Sequence, residues 1–230
     1  MPKQLSAKDI TSYLESLRNE KQRKVLMRFF KTGKGEYGEG DEFLGLKVPQ
    51  TREVVKVVWK DFPLEEVPQL LMNRWHEVRL CGFLILVAKF EQVATKKLTH
   101  DEAAIKKRDE ILGLYLQYAE QANNWDLVDL SVHKILGAWL LLPSSLGERD
   151  YKIQVLDALA ESDNLWKQRI DPDVPYTLRT NGIMVYPMAN VQFTEANYQY
   201  RNHRLRFCAL DLAQDWRKID QRLRKIINFE

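Results

Sequence analysis

Apolar residues recur with helical spacing over most of the first 170 positions. Aliphatic and aromatic side chains fall three and four residues apart, as they do on one face of an α-helix. No alternating apolar and polar run of useful strand length occurs before residue 170. The helical stripes cover residues 10–17, 54–59, 67–71, 78–90, 111–119, 125–142 and 151–159. The pattern therefore predicts an all-α fold.

The stripes are short and follow one another with little linker. Pro49, Pro63 and Pro143 fall between them, where helices begin or end. At about 42 residues per helix pair, the 230 residues form one domain of roughly five pairs. A single pair cannot bury its apolar faces, so we expect the pairs to stack into a HEAT-like α-solenoid with a concave groove. A plain helical bundle fits the same pattern.

Two stretches depart from helical spacing. Residues 31–47 contain five of the ten glycines and predict a loop at a groove edge. This loop lacks the Gly-Lys-Ser/Thr ending of a nucleotide-binding P-loop, which argues against that function. Residues 171–200 carry three prolines and no helical stripe, and they predict an irregular segment, before helical spacing returns near the end of the chain.

Composition and charge fit a soluble protein with a real core. The chain is 45% apolar and has 35 Lys and Arg against 32 Asp and Glu, a net charge of +3. Its longest apolar runs are about half of the ~20 residues that a membrane span needs. The start, MPKQLSAKDI, has no apolar signal region. Cys81 and Cys208 match no metal or redox spacing, and together these features predict a protein of the reducing cytoplasm.

The segment ANNWDLVDLSV holds the first candidate for chemistry. Asn123 or Asn124 is a good N-cap, and Asp126 then falls in the first turn, where the helix dipole favours a carboxylate. Asp129 lies four residues after Trp125, so ring and carboxylate share one face of the helix. This pattern fits a carboxylate in a partly desolvated groove. It also fits a solvated or salt-bridged Asp over a core Trp.

The segment SDNLWKQRI repeats the arrangement with a positive charge. Ser162 or Asp163 is the expected cap, and Trp166 and Arg169 follow three residues apart on one side. Equivalent positions of adjacent repeats face the same surface, so stacking would bring Asp129 and Arg169 to one groove. A solvated arginine on a helix face is the alternative.

Other motifs indicate no metal and no nucleophile. In RWHEVRL, Leu80 stands where a zinc-protease helix needs a second histidine, so no metal site is predicted. His76, Glu77 and Arg79 instead predict polar contacts between helices. Basic residues accumulate near the N-terminus, which fits either a solvated face or a surface that follows a DNA backbone. They are Lys21, Arg23, Lys24, Arg28, Lys31, Lys34, Lys47, Arg52, Lys56 and Lys60.

Four stretches in order resemble the AlkD-type DNA alkylation repair glycosylases, a family built from HEAT-like helical repeats. They are YGEGDEFLGLKVPQTREVVK, WHEVRLCGFLILV, NNWDLVDLSV and SDNLWKQR. The resemblance covers residues 1–170. It implies excision of positively charged 3- and 7-alkylated purines from duplex DNA, without extrusion of the lesion. The family's catalytic Asp falls on Asp129, its active-site Trp on Trp125 and its active-site Arg on Arg169.

The resemblance further implies a monomer that needs neither a cofactor nor a protein partner. Asp129 would stabilise the cationic sugar and hold a water, while Trp125 packs on the sugar and Arg169 contacts a phosphate. A binder of distorted or branched DNA and a protein-binding scaffold are the alternatives. The pair Asp129 and Arg169 favours the enzyme over the DNA binder. A protein that only binds the DNA backbone has no use for a groove carboxylate, because that carboxylate repels phosphate. The basic helices favour DNA over a protein partner.

The resemblance ends after residue 170. The family continues with another helix pair and a Gly-Trp-x-Leu-Arg-Glu type motif, and residues 171–214 contain neither. Our hypothesis is that residues 171–215 reflect a local reading-frame shift or a diverged insertion. Resequencing the gene tests this idea, since an unbroken frame removes the frame shift.

Overall fold

The regular secondary structure in the described part of the chain is helical. A computed structural model describes residues 5–147, 149–164 and 166–167. These ranges contain no strand, and a single isolated bridge pairs Glu42 with Trp75. The all-α prediction is therefore confirmed. The irregular segment predicted for residues 171–200 lies outside the described residues.

Nine α-helices are described, and most of them match the predicted stripes. They are α1 (Ala7–Ser16), α2 (Glu20–Phe29), α3 (Val48–Val58), α4 (Val67–Leu71), α5 (His76–Val93), α6 (Glu102–Gln117), α7 (Trp125–Ser131), α8 (Ala138–Leu140) and α9 (Arg149–Ala160). Two features differ from the prediction. Helix α2 corresponds to no stripe, because none of its side chains is fully buried. The stripe over 125–142 is interrupted by a π-helical stretch, His133–Gly137.

Short polar side chains and prolines begin the helices, as local chemistry requires. Ser6 and Asp9 form a reciprocal capping box at the start of α1. Asn19 caps α2 and Asp101 caps α6 through their side-chain oxygens. Pro49 lies in the first turn of α3, where its missing N–H costs no hydrogen bond. The predicted helix boundary at Pro49 is confirmed.

Helix α5 is the centre of the core. It is apolar on nearly all sides and contacts α1, α3, α4, α6 and α7. Gly82 permits the close approach of α4, since a Cβ there would lie 2.9 Å from the Leu71 side chain. None of the described helices is long and apolar enough to span a membrane. The stacking of helix pairs into a HEAT-like solenoid stays a prediction.

The Gly-rich segment between α2 and α3 is a loop, as predicted, and its last residues are anchored on α5. The buried Glu77 carboxylate accepts hydrogen bonds from the backbone N–H groups of Leu44, Gly45 and Leu46, at 2.8, 2.8 and 3.0 Å. Gly45 has a φ of +94°, and a Cβ there would lie 2.2 Å from the Asn19 carbonyl oxygen. The loop therefore depends on one carboxylate and on one glycine.

We expect Glu77→Ala to lower the free energy of unfolding by about 3 kcal/mol, because it leaves three buried N–H groups without their acceptor. Glu110→Ala is the control, since Glu110 is an exposed partner of Lys107 on α6 and should matter by less than about 0.5 kcal/mol. Urea unfolding followed by circular dichroism measures both. Equal effects of the two substitutions would contradict the anchoring role.

Candidate active site

The start of α7 is fixed by the side-chain amides of Asn123 and Asn124. Asn124 is the N-cap, and its side-chain oxygen accepts from the Trp125 N–H at 2.9 Å. Its side-chain nitrogen donates to Asp41 at 3.2 Å, which joins α7 to the loop before α3. The oxygen of Asn123 accepts from Arg79 of α5 at 3.0 Å. The prediction of a cap at Asn123 or Asn124 is confirmed, and the cap is Asn124.

Trp125 and Asp129 line the same open cleft. The cleft has a volume of about 380 Å³ and lies between the end of α2, the beginning of α3 and helix α7. Both side chains are partly buried. The backbone carbonyl of Asp129 faces the His133 ring nitrogen Nδ1 at 3.1 Å, which brings the π-helical stretch against the same turn. The predicted common face of Trp125 and Asp129 is confirmed.

A chain of aromatic rings holds the Trp125 side chain. Phe30 packs against Trp125 with ring centroids 5.3 Å apart, and Phe29 meets it edge-on at 5.9 Å. Phe30 stacks on Phe43 at 5.1 Å, and Phe43 stacks on the His76 imidazole at 4.3 Å. The indole is thus connected through packed rings to the polar interior.

Behind this chain of rings, His76 lies between two buried carboxylates. Its Nδ1 is 2.8 Å from Asp41 and its Nε2 is 2.9 Å from Asp126. Because both nitrogens face acceptors, both donate only when the ring is an imidazolium. Burial opposes that charge, but the two carboxylates outweigh burial and raise the pKa of His76 to about 9. Burial also opposes ionisation of Asp41, yet His76 and Arg79 hold its pKa below the usual range.

Arg79 completes a neutral cluster of two cations and two carboxylates. Its guanidinium pairs with Asp41 and donates to the carbonyl oxygens of Asn73 and Arg74, each at 2.8 Å. The predicted polar contact between helices is confirmed for His76, which reaches Asp126 of α7, whereas Glu77 and Arg79 contact loop residues instead. Through Asp41, His76 and Asp126, the cluster joins the loop before α3 to α5 and α7.

Asp126 differs from its prediction. The sequence indicated helix-end electrostatics alone, but the side chain is buried and accepts the second hydrogen bond of His76. The first turn of α7 faces α5, so a carboxylate there is enclosed and needs a cationic partner. Asp126 therefore holds α7 in place.

The second predicted motif is described only in part. Asn164 caps the helical turn at residues 166–167, since its oxygen accepts from the N–H groups of Trp166 and Lys167 at 2.9 and 3.1 Å. The predicted caps, Ser162 and Asp163, are wrong by one or two positions. Trp166 meets Tyr37 of the Gly-rich loop edge-on at 6.1 Å, so that loop borders both Trp motifs. Arg169 lies outside the described residues, and its convergence with Asp129 stays a prediction.

Sequence reasoning missed Asp41 and the aromatic residues Phe29 and Phe30. Asp41 is 35 positions from His76, and spacing along the chain reveals no such pairing. Among the described residues, no three His, Cys, Asp or Glu side chains are grouped as metal ligands would be. Asp41, His76 and Asp126 already satisfy one another.

We expect stability to fall as the pH rises from about 6.5 to about 8.5. The pKa of His76 is raised above its unfolded value of 6.5, so its contribution is complete below 6.5 and is lost as the pH passes through about 9. The free energy of unfolding should fall by about 1.4 kcal/mol per pH unit in this interval. Burial lowers the pKa of His133, which moves its titration below the interval.

Urea unfolding at several pH values measures this slope. His76→Gln should remove most of it, whereas His100→Gln should keep it, since His100 is exposed on the surface. The same slope in His76→Gln as in the wild type would show that the imidazolium does not carry the effect.

Residues 10–171 match the family model described as DNA alkylation repair enzyme. No curated protein and no solved structure matches the chain significantly. The matched residues include the Asp41 loop, the His76 helix, Trp125 and Asp129, and they span more than two thirds of the 230 residues. The chain is therefore a member of the family of DNA alkylation repair enzymes.

Proposed function

We propose that the protein is a DNA glycosylase that excises positively charged alkylated purines, such as 7-methylguanine and 3-methyladenine, from duplex DNA. The observation that carries this proposal is the cleft shared by Trp125 and Asp129, at a helix start fixed by buried charges. An aromatic ring beside a carboxylate in an open cleft suits a cationic sugar, and family membership supplies alkylated DNA as the substrate class.

The chemistry requires little from the protein beyond one carboxylate. A purine alkylated at N3 or N7 carries a positive charge and leaves as a neutral base, taking the electrons of the C1′–N bond. Positive charge then develops on the deoxyribose, where Asp129 stabilises it. A water oxygen bonds to C1′ and loses its proton to the Asp129 carboxylate, which gives an abasic site.

Trp125 and Arg169 position the substrate in this proposal. The Trp125 ring packs on the sugar of the damaged nucleotide, and Arg169 contacts a phosphate. The lesion stays in the helical stack, unlike in enzymes that extrude their target base. No cofactor, metal or protein partner is required, and we propose a cytoplasmic monomer with a concave, HEAT-like DNA-binding groove.

Asp129 is a better candidate for the carboxylate than its neighbour Asp126. Both line the cleft, but Asp126 is buried and hydrogen-bonded to the His76 imidazolium. The His76 imidazolium balances the negative charge of Asp126, so less of that charge is left to stabilise a cationic sugar. Asp129 lies one turn further along α7 and is more exposed.

We expect Asp129→Asn to lower the single-turnover rate of 7-methylguanine release by roughly 10²–10³-fold, because it removes the charge that stabilises the sugar cation. Affinity for undamaged duplex DNA should be equal or slightly higher, since a charge that repels phosphate is gone. Release of methylated bases from methylated duplex DNA by the purified protein measures the rate.

Asp61→Asn is the matched control, because Asp61 is an exposed carboxylate that does not line the cleft. It should keep the wild-type rate. Full activity of Asp129→Asn would show that the catalytic assignment is wrong. A wild-type protein that binds DNA but releases no alkylated base would favour the binder of distorted or branched DNA, and one that does not bind DNA would favour the scaffold.

A further inference from the structure

The cleft beside Asp129 extends well beyond that side chain. Its apolar walls include Leu26 and Phe29 of α2, Pro49 of α3 and Leu130 of α7. One exposed cation, Lys47, lies at its edge where α3 begins. The cleft therefore offers apolar contact and a positive charge next to the proposed catalytic carboxylate.

Phe29 is unusually exposed for an aromatic residue of this size. Its side chain is 60% accessible, although Trp125 and Phe30 lie against its edges at 5.9 and 5.1 Å. Its neighbours Arg28 and Lys31 are exposed and cationic. An apolar ring among positive charges suits a partner that combines apolar surface with negative charge, which is the character of a nucleotide.

Of the charged residues that line the cleft, Lys47 is the exposed cation. The other charged residues lining the cleft, besides Asp129, are Glu77, His76 and Asp126, and all three are buried and hydrogen-bonded. Within the described part of the chain, the Lys47 ammonium has no ion pair. It lies on the α3 side of the cleft, whereas Asp129 lies on the α7 side.

We infer that this cleft binds the nucleotide that adjoins the damaged one, with Phe29 against its deoxyribose and Lys47 on its phosphate. The inference rests on the proposed function for the place of the lesion, but the nucleotide contact itself requires only duplex DNA. The negative charge of Asp129 opposes the binding of a phosphate in this cleft. The positive charge of Lys47, across the cleft, offsets that repulsion. Phe29 and Lys47 are thus binding residues of different physical character.

This difference gives the test. Binding of an undamaged duplex is measured over a series of salt concentrations for the wild type, Phe29→Ala and Lys47→Ala. Lys47→Ala should lessen the slope of log affinity against log salt by about 0.9, the value for one phosphate contact. Phe29→Ala should weaken binding by roughly 5- to 10-fold at every salt concentration and keep the slope, because its contact is apolar.

Matched controls come from the same part of the molecule. Val57 is 78% exposed on α3 and lines a different groove, so Val57→Ala should bind like the wild type. Lys56 lies in the last turn of α3 and does not line the cleft. Lys56→Ala should keep the slope, as should Lys47→Arg, which retains the charge. Phe29→Leu should recover part of the lost affinity.

The result that would overturn the inference is wild-type binding by both Phe29→Ala and Lys47→Ala, or changes no larger than those of Val57→Ala and Lys56→Ala. A wild-type protein without affinity for duplex DNA would overturn it as well. Because the measurement uses undamaged DNA, it is separate from base release. If the variants show the expected binding pattern but the protein releases no base, nucleotide binding in the cleft would be supported and the proposed glycosylase activity would be contradicted.

Discussion

The structure around the site depends on one buried cation, the imidazolium of His76 between Asp41 and Asp126. Isolated buried charges are very unfavourable, and these are tolerated because His76 and Arg79 balance the two carboxylates within hydrogen-bonding distance. The balance links three segments that are distant in sequence: the Gly-rich loop, the long central helix and the helix that carries Trp125 and Asp129. Removal of any one of the four charged side chains leaves an uncompensated charge in the interior. A substitution at one of them should therefore destabilise the whole group.

This arrangement explains how a short helix can present the carboxylate that we propose to be catalytic. Helix α7 is only seven residues long and could not hold an orientation through its own hydrogen bonds. Asn124 closes its first turn, Asp126 attaches it to His76, and Phe30 and Phe43 carry the packing from His76 to the Trp125 ring. A preorganised charge in a partly enclosed cleft is what a reaction through a cationic sugar needs, because the protein does not have to reorganise as charge develops.

The sequence predicted the parts of this account that depend on local pattern. The stripes predicted an all-α fold, the asparagines predicted the cap of α7, and the spacing of Trp125 and Asp129 predicted their common face. Local pattern could not predict the partner of His76, because Asp41 and Asp126 reach it only through the folded chain. The prediction for Asp126 was wrong for the same reason. The sequence of a first turn with a carboxylate does not reveal whether that turn is exposed or buried. Helix α2 was missed because none of its side chains is fully buried, and Leu26 and Phe29 line the cleft rather than the core.

The most direct test of whether this buried charge group positions α7 for the proposed reaction is the single-turnover rate of 7-methylguanine release by His76→Gln. The rate is measured at a temperature where circular dichroism shows the variant to be folded, together with its affinity for undamaged duplex DNA. Loss of the imidazolium should displace α7 slightly, and a displacement of about 1 Å can cost roughly 10²-fold in rate. We predict such a loss with DNA affinity within about threefold of the wild type. A folded His76→Gln protein that releases the base at the wild-type rate would contradict the account.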